Sequence, residues 1–108
     1  MGFRFDLRRY RTASGHVPLT EWLLRLDGKT AGRIGAHVDR MRTGNFGDSR
    51  SVGHGVLELR IHAGPGYRVY YLRDGKAIVI LLCGGDKSTQ STDIIRARLA
   101  AEDYRRRR

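Results

Sequence analysis

Apolar and polar residues alternate at the start of the chain and then change to a helical spacing. The segment from Phe3 to Arg8 alternates with a period of two, which predicts a half-buried strand. After Pro18 the apolar residues recur every three or four positions, on one side of a helix. A second helical pattern runs from Lys29 to Arg42, after the helix-ending pair Asp27-Gly28. Together the two patterns predict an αα-hairpin.

The second half of the chain predicts three strands and a helix. The stretch from Thr43 to Gly55 is rich in Gly, Asn, Asp and Ser and has no period, so it is predicted to be a loop. Strands are then predicted at Val56–His62, Tyr67–Leu72 and Ala77–Cys83, with Gly84-Gly85 closing the last one. Residues 88–104 have helical spacing. The predicted order is β-α-α-β-β-β-α, an α+β domain with a twisted antiparallel sheet packed against the αα-hairpin.

The hairpin between the first two of these strands favours one register. Pairing Arg60 with Arg68 keeps the leucines and isoleucine of the first strand on one face, whereas an even loop would mix the faces. In this register five polar residues share the face opposite the αα-hairpin: Glu58, Arg60, His62, Arg68 and Tyr70. Like charges opposite each other destabilise a sheet, so the arginine pair is a local conflict. Such conflicts often mark sites that bind anions.

Composition and charge narrow the function classes. The 108 residues form one domain and carry a net charge of +10, which favours a polyanionic or acidic partner. Four of the positive charges form the terminal run Arg105–Arg108, which is predicted to be a frayed basic tail. The lone Cys83 and the absence of an apolar run or leader pattern predict a cytoplasmic protein that does not enter a membrane.

Two familiar kinds of site are excluded by spacing. The stretch after the last strand lacks the glycines of a P-loop, and the four histidines lack metal-ligand spacing, so neither a nucleotide, a metal nor another cofactor is expected. Lys87 beside the free N–H groups of the last helix could bind a phosphate. Alternatively, Lys87 is only solvated and Ser88 only caps the helix.

The segment from Val56 to Gln90 resembles a known family. Glu58-Leu59-Arg60, the strand Gly66-Tyr67-Arg68-Val69-Tyr70-Tyr71, and Gly84-Gly85-Asp86-Lys87-Ser88-Thr89 are similar to the RelE/ParE superfamily of bacterial toxins, and most of all to the HigB-like addiction-module killer proteins. The element order matches over nearly the whole chain. This resemblance implies a small basic toxin that cuts mRNA in the ribosomal A site. It also implies an antitoxin partner, a helix-turn-helix protein encoded by the neighbouring gene.

The resemblance and the chemistry of RNA cleavage together assign candidate roles. Arg68 matches the phosphate-binding arginine of the family, and Arg60 and Lys87 would flank it. A metal-free ribonuclease also needs a base for the 2′-OH proton and an acid for the 5′ oxygen. Glu58 is the candidate base and His62 the candidate acid. Tyr70 would help to bind RNA.

The chain departs from the RelE pattern at the last helix. RelE-like nucleases have a tyrosine or histidine near its start, whereas residues 86–93 contain neither, which leaves Asp86 as a candidate for proton transfer. Two alternatives therefore stay open. One is a ParE-like inhibitor of DNA gyrase, and the other is an inactive homologue that only binds an antitoxin.

Overall fold

The computed structural model describes residues 4–108, so Phe3 of the predicted first strand lies outside the described part. A five-stranded sheet has the order β1-β5-β4-β3-β2. Its strands are β1 (Asp6–Arg9), β2 (Asp48–Ser51), β3 (Leu57–Ile61), β4 (Tyr67–Asp74) and β5 (Ile78–Asp86). The helices are α1 (Pro18–Leu24), α2 (Gly28–Asp39) and α3 (Gln90–Arg107), with 3-10 turns at Arg40–Thr43 and Lys87–Thr89.

The αα-hairpin is confirmed, and its local sequence explains its ends. Pro18 opens α1 at the first helical position, where the missing N–H is not needed. Asp27 caps α2 by accepting a hydrogen bond of 2.9 Å from the backbone N–H of Thr30. Gly44, with φ of 93°, ends the 3-10 turn that follows α2.

The sheet has helices on both faces. One face packs its apolar residues against α1 and α2, and Trp22 lies in this core as its helical stripe predicts. The other face packs against α3, where Ala97 and Ala101 lie over the aliphatic residues of β4 and β5. The polar residues of β3 and β4 therefore lie on the α3 side.

The predicted register of β3 and β4 is confirmed. Arg60 pairs with Arg68, and Glu58 pairs with Tyr70. In β5, Gly84 and Gly85 do not close the strand, because pairing with β4 continues to Asp86. Both glycines let helices approach: a Cβ on Gly84 would clash with Trp22, and one on Gly85 with Asp93.

Three further sequence predictions are corrected. Residues 48–51, predicted as loop, form the edge strand β2, whose polar composition reflects its exposure. The sheet is mixed rather than antiparallel throughout, since β1 pairs with β5 in parallel. The frayed tail is wrong as well: residues 105–107 continue α3, and Arg105 Nη1 donates to the His54 carbonyl at 2.8 Å. Arg108 Nη1 bonds Asp74 Oδ1 at 2.5 Å.

Candidate functional site

A buried carboxylate lies at the centre of the polar face. Glu58 is the second residue of β3, opposite Arg50 on β2 and Tyr70 on β4, and its side chain is fully buried. Its Oε1 accepts hydrogen bonds from Arg60 Nε at 3.0 Å and from Arg50 Nε at 3.2 Å. Its Oε2 accepts from Gln90 Nε2 at 2.9 Å and from the Tyr70 hydroxyl at 3.1 Å. These four bonds fill the usual acceptor capacity of a carboxylate.

These contacts keep Glu58 ionised. Burial acts to raise the pKa of Glu58, but the hydrogen bonds, that from Gln90 first and that from Arg60 next, outweigh it and hold the pKa below its ordinary value. Burial, reinforced by the charge of Glu58, raises the pKa of Tyr70 far above its ordinary value. At neutral pH the pair is therefore a carboxylate bonded to a neutral phenol. Glu58 can act as a base only after losing one of its donors.

The third arginine lies on the other side of the same carboxylate. Arg68 Nε lies 3.7 Å from Glu58 Oε2, and only 10% of the Arg68 side chain is exposed. Its Nη1 donates to the Gly66 carbonyl at 3.0 Å, while its buried Nε–H has no acceptor among residues 4–108. We call Arg50, Arg60 and Arg68 the guanidinium cluster. One carboxylate against three guanidiniums leaves this cluster positively charged, which suits an anion.

Asp86 and Lys87 lie at the border of the cluster, where β5 leads into α3. Asp86 accepts hydrogen bonds from the backbone N–H of Ser88 at 2.8 Å and from its hydroxyl at 2.6 Å. The Ser88 hydroxyl is the main reason that the pKa of Asp86 lies below its ordinary value. Lys87 is exposed, and a Cβ placed on Gly66 would lie within 3.7 Å of both Lys87 and Arg68. Lys87 therefore lies beside Gly66, whose carbonyl accepts the hydrogen bond from Arg68.

His62 lies apart from this arrangement. Its side chain is 73% exposed, and its Nε2 lies 2.6 Å from Asp48 Oδ2 on the edge strand β2. No hydrogen bond joins it to Glu58 or Arg68 within the described chain. Of the residues predicted from the sequence, the structure brings together Glu58, Arg60, Arg68 and Tyr70, with Asp86 and Lys87 adjoining, and leaves His62 at the edge.

Two residues of the site were missed by the sequence analysis. Arg50 was assigned to a loop, because β2 has no apolar alternation to reveal it. Gln90 is the first residue of α3, and its bond to Glu58 links that helix to the sheet. Its polar side chain at a helix start gave no signal of a contact 32 positions away in the sequence.

No helix in the described residues is long and apolar enough to span a membrane. Within residues 4–108, no group of three or more His, Cys, Asp or Glu side chains is placed to hold a metal ion.

Comparisons with known proteins agree with this fold. Residues 21–105 match the family described as phage derived protein Gp49-like (DUF891). An uncharacterized protein of Haemophilus influenzae is 51% identical over 83 residues, which are 76% of this chain and 84% of that protein. The structure of a double arginine-to-alanine mutant of the E. coli toxin RelE in the free state superposes with a TM-score of 0.61 at 12% identity, covering 92% of this chain and 96% of RelE. The RelE-like fold expected from the sequence is thereby confirmed.

Proposed function

The chain belongs to the Gp49-like family, and from this membership and the RelE-like fold we propose that it is the toxin of a bacterial type II toxin-antitoxin module. We assign it to the HigB-like branch and propose that it cleaves mRNA on the ribosome without a metal ion. The observation that carries the proposal is the guanidinium cluster around the buried Glu58.

The cluster suits the charge that develops during RNA cleavage. When the 2′-oxygen attacks phosphorus and the 5′-oxygen leaves, negative charge gathers on the phosphate oxygens. Arginine forks match those oxygens, and Arg68 forms only one hydrogen bond within residues 4–108 although a guanidinium has five donors. Arg68 is therefore the proposed main phosphate ligand. Arg60 and Lys87 are proposed to bind the flanking phosphate oxygens.

We assign Glu58 a role other than the general base expected from the sequence. Because its four acceptor positions are filled, we propose that it positions the guanidinium cluster. Tyr70 supports it as a neutral donor. His62 and Asp86 stay candidates for proton transfer, although each has a partner in the described chain. Catalysis by positioning and charge alone predicts weak cleavage of free RNA and strong cleavage on the ribosome.

The experiment is induced expression in bacteria without antitoxin, followed by mapping of transcript 5′ ends within minutes. Wild type is expected to produce cuts in frame with codons. Arg68→Ala should abolish them, with a loss of about 10²-fold or more in cleavage rate. Arg68→Lys keeps the positive charge but loses the forked guanidinium, so it should retain a small part of the cleavage activity. Residual activity in this variant would show that loss of folding does not explain a defect at position 68. Arg33→Ala, an exposed change on α2, is the control and should cut normally.

The alternatives give different outcomes. Growth arrest with intact transcripts and damaged DNA would replace this proposal with gyrase inhibition. Harmless expression of folded wild type would leave a module that only binds its antitoxin. Unchanged cleavage by Arg68→Ala would remove Arg68 from the site.

A further inference from the structure

Part of the edge of β5 that faces β1 is not paired with a strand of residues 4–108. β1 ends at Arg9, and its last bond to the neighbouring strand is from Tyr10 N–H to the Leu81 carbonyl at 2.8 Å. β5 continues to Asp86, so among residues 4–108 no strand pairs with its residues 82–86 on the β1 side. Helices α1 and α3 flank this edge from the two faces of the sheet. Unpaired strand edges bind further extended segments through backbone hydrogen bonds.

A cavity of about 450 Å³ lies over this edge. Its lining is largely apolar and comes from α1, β5 and α3, and includes Trp22, Leu82, Cys83, Leu99 and Ala100. Burial raises the pKa of the Cys83 thiol to about 12, so the floor carries no thiolate at neutral pH. Leu99 is 61% exposed at the rim. We call this feature the α1–α3 cavity, and it has room for one or two apolar side chains.

Two arginines make the rim of the cavity positively charged. Arg25, just after α1, and Arg96, on α3, line it from opposite sides and are exposed. Neither side chain makes an ion pair or hydrogen bond with another residue of the described chain. The carboxylates nearest in the lining are otherwise engaged, since Glu21 pairs with His16 and Asp93 accepts from the Thr89 hydroxyl. An occupant with carboxylates beside its apolar residue would complement this rim.

We propose that the α1–α3 cavity binds an extended, acidic segment of a partner protein, which adds a strand to the open edge of β5, inserts an apolar side chain, and pairs its carboxylates with Arg25 and Arg96. The partner class deepens the proposed function, because an antitoxin is the protein expected to carry such a segment. An RNA strand fits less well, since the floor is apolar and the edge of β5 that β1 leaves unpaired matches the backbone of a peptide.

The test is selection of peptide binders from a displayed random library with the full-length protein as bait. Selected peptides should alternate acidic and apolar residues. When bound, they should slow amide hydrogen exchange at residues 82–86 by about tenfold or more. The double variant Arg25→Glu, Arg96→Glu should weaken their binding by at least about tenfold, as should the cavity-filling Ala100→Trp. The control Lys29→Glu, Arg33→Glu makes the same change in net charge on α2 and should bind normally.

Several outcomes would overturn the proposal. These are peptides without acidic residues, equal binding by both double variants, no enrichment over background, or protection at residues other than 82–86. Protection of the same amides by oligouridylate, lost in the Arg25→Glu, Arg96→Glu variant, would make the cavity an RNA site instead. Peptide binding does not require RNA cleavage. A protein that binds the peptides but leaves transcripts intact would thus refute the nuclease proposal and keep this one.

Discussion

At the scale of single residues, Glu58 resolves the conflict between the two arginines that the register places opposite each other. Its carboxylate bonds Arg60 directly and lies near Arg68, so their repulsion is offset within the sheet. Tyr70 and Gln90 donate hydrogen bonds to the second oxygen of the carboxylate and so stabilise its negative charge. A buried charge is tolerated only when it is paired in this way.

Glu58→Gln should therefore destabilise the fold and disorder the guanidinium cluster. We expect a loss of about 2–3 kcal/mol, below the value for a fully buried ion pair because Arg50 and Arg60 are partly exposed. Urea denaturation measures it. Asp48→Asn removes an exposed carboxylate from the same face and should cost less than about 0.5 kcal/mol. Equal costs for the two variants would contradict the central role of Glu58.

The same carboxylate predicts a pH dependence. Because the pKa of Glu58 is lower in the folded protein than its ordinary value of 4.5, the unfolded chain takes up the proton first as the pH falls. The stabilisation is complete at neutral pH and is lost as the pH falls below 4.5 toward the lowered folded value. The stability gap between wild type and Glu58→Gln should narrow over that window. Denaturation series from pH 7 to pH 3 test this, and a gap that stays constant would refute it.

At the scale of elements, the diglycine of β5 determines how closely the helices pack. Trp22 of α1 occupies the space beside Gly84, and Asp93 of α3 the space beside Gly85. Neither glycine has a positive φ, so their role is close approach rather than backbone conformation. Both helices thus contact β5 within two residues of Asp86, at the border of the candidate site.

Gly85→Ala should push α3 away from the sheet. The new Cβ would collide with Asp93 and Thr89, and we expect a destabilisation of about 1–3 kcal/mol. Gly32→Ala in α2 is the matched control, because a Cβ there meets no atom of residues 4–108 within 4 Å. It should stabilise the protein by about 0.5–1 kcal/mol. Thermal or urea denaturation measures both, and a neutral Gly85→Ala would show that α3 can shift without cost.

At the scale of the whole molecule, the net charge of +10 attracts polyanions from all sides, while the guanidinium cluster concentrates charge on one face. Some of the remaining arginines hold other parts of the fold together. Arg98 bonds the Val52 carbonyl, and Arg107 pairs with Asp103 at 2.7 Å. The charge therefore serves the fold as well as binding.

Salt dependence separates general attraction from binding at the site. For a single-stranded RNA, Arg60→Gln should reduce the slope of log affinity against log salt by about 0.7, the value for one phosphate contact. Arg33→Gln, on α2, should leave the slope nearly unchanged. Fluorescence titrations at several salt concentrations measure both. Equal reductions would mean that RNA binds the surface diffusely.

The sequence by itself determined the types of the elements other than β2, and the register of β3 and β4. Helical spacing and strict alternation are local properties, and only one register kept the apolar residues of β3 on a single face. The same alternation is enough to place Glu58, Arg60, Arg68 and Tyr70 together on the opposite face. A strand without apolar alternation leaves no such trace, which is why β2 and its Arg50 were missed.

Only the tertiary structure decided what the polar residues do. Whether Glu58 is a free base or a filled acceptor depends on Arg50 and Gln90, which approach it from segments 8 and 32 residues away. The terminal arginines look like a solvated tail in sequence, yet they find acceptors just after β1, on β4 and in the loop after β2. The open edge of β5 likewise exists because the parallel partner β1 is shorter. Contacts between distant segments carry no period along the chain, so they become visible only once the chain has folded.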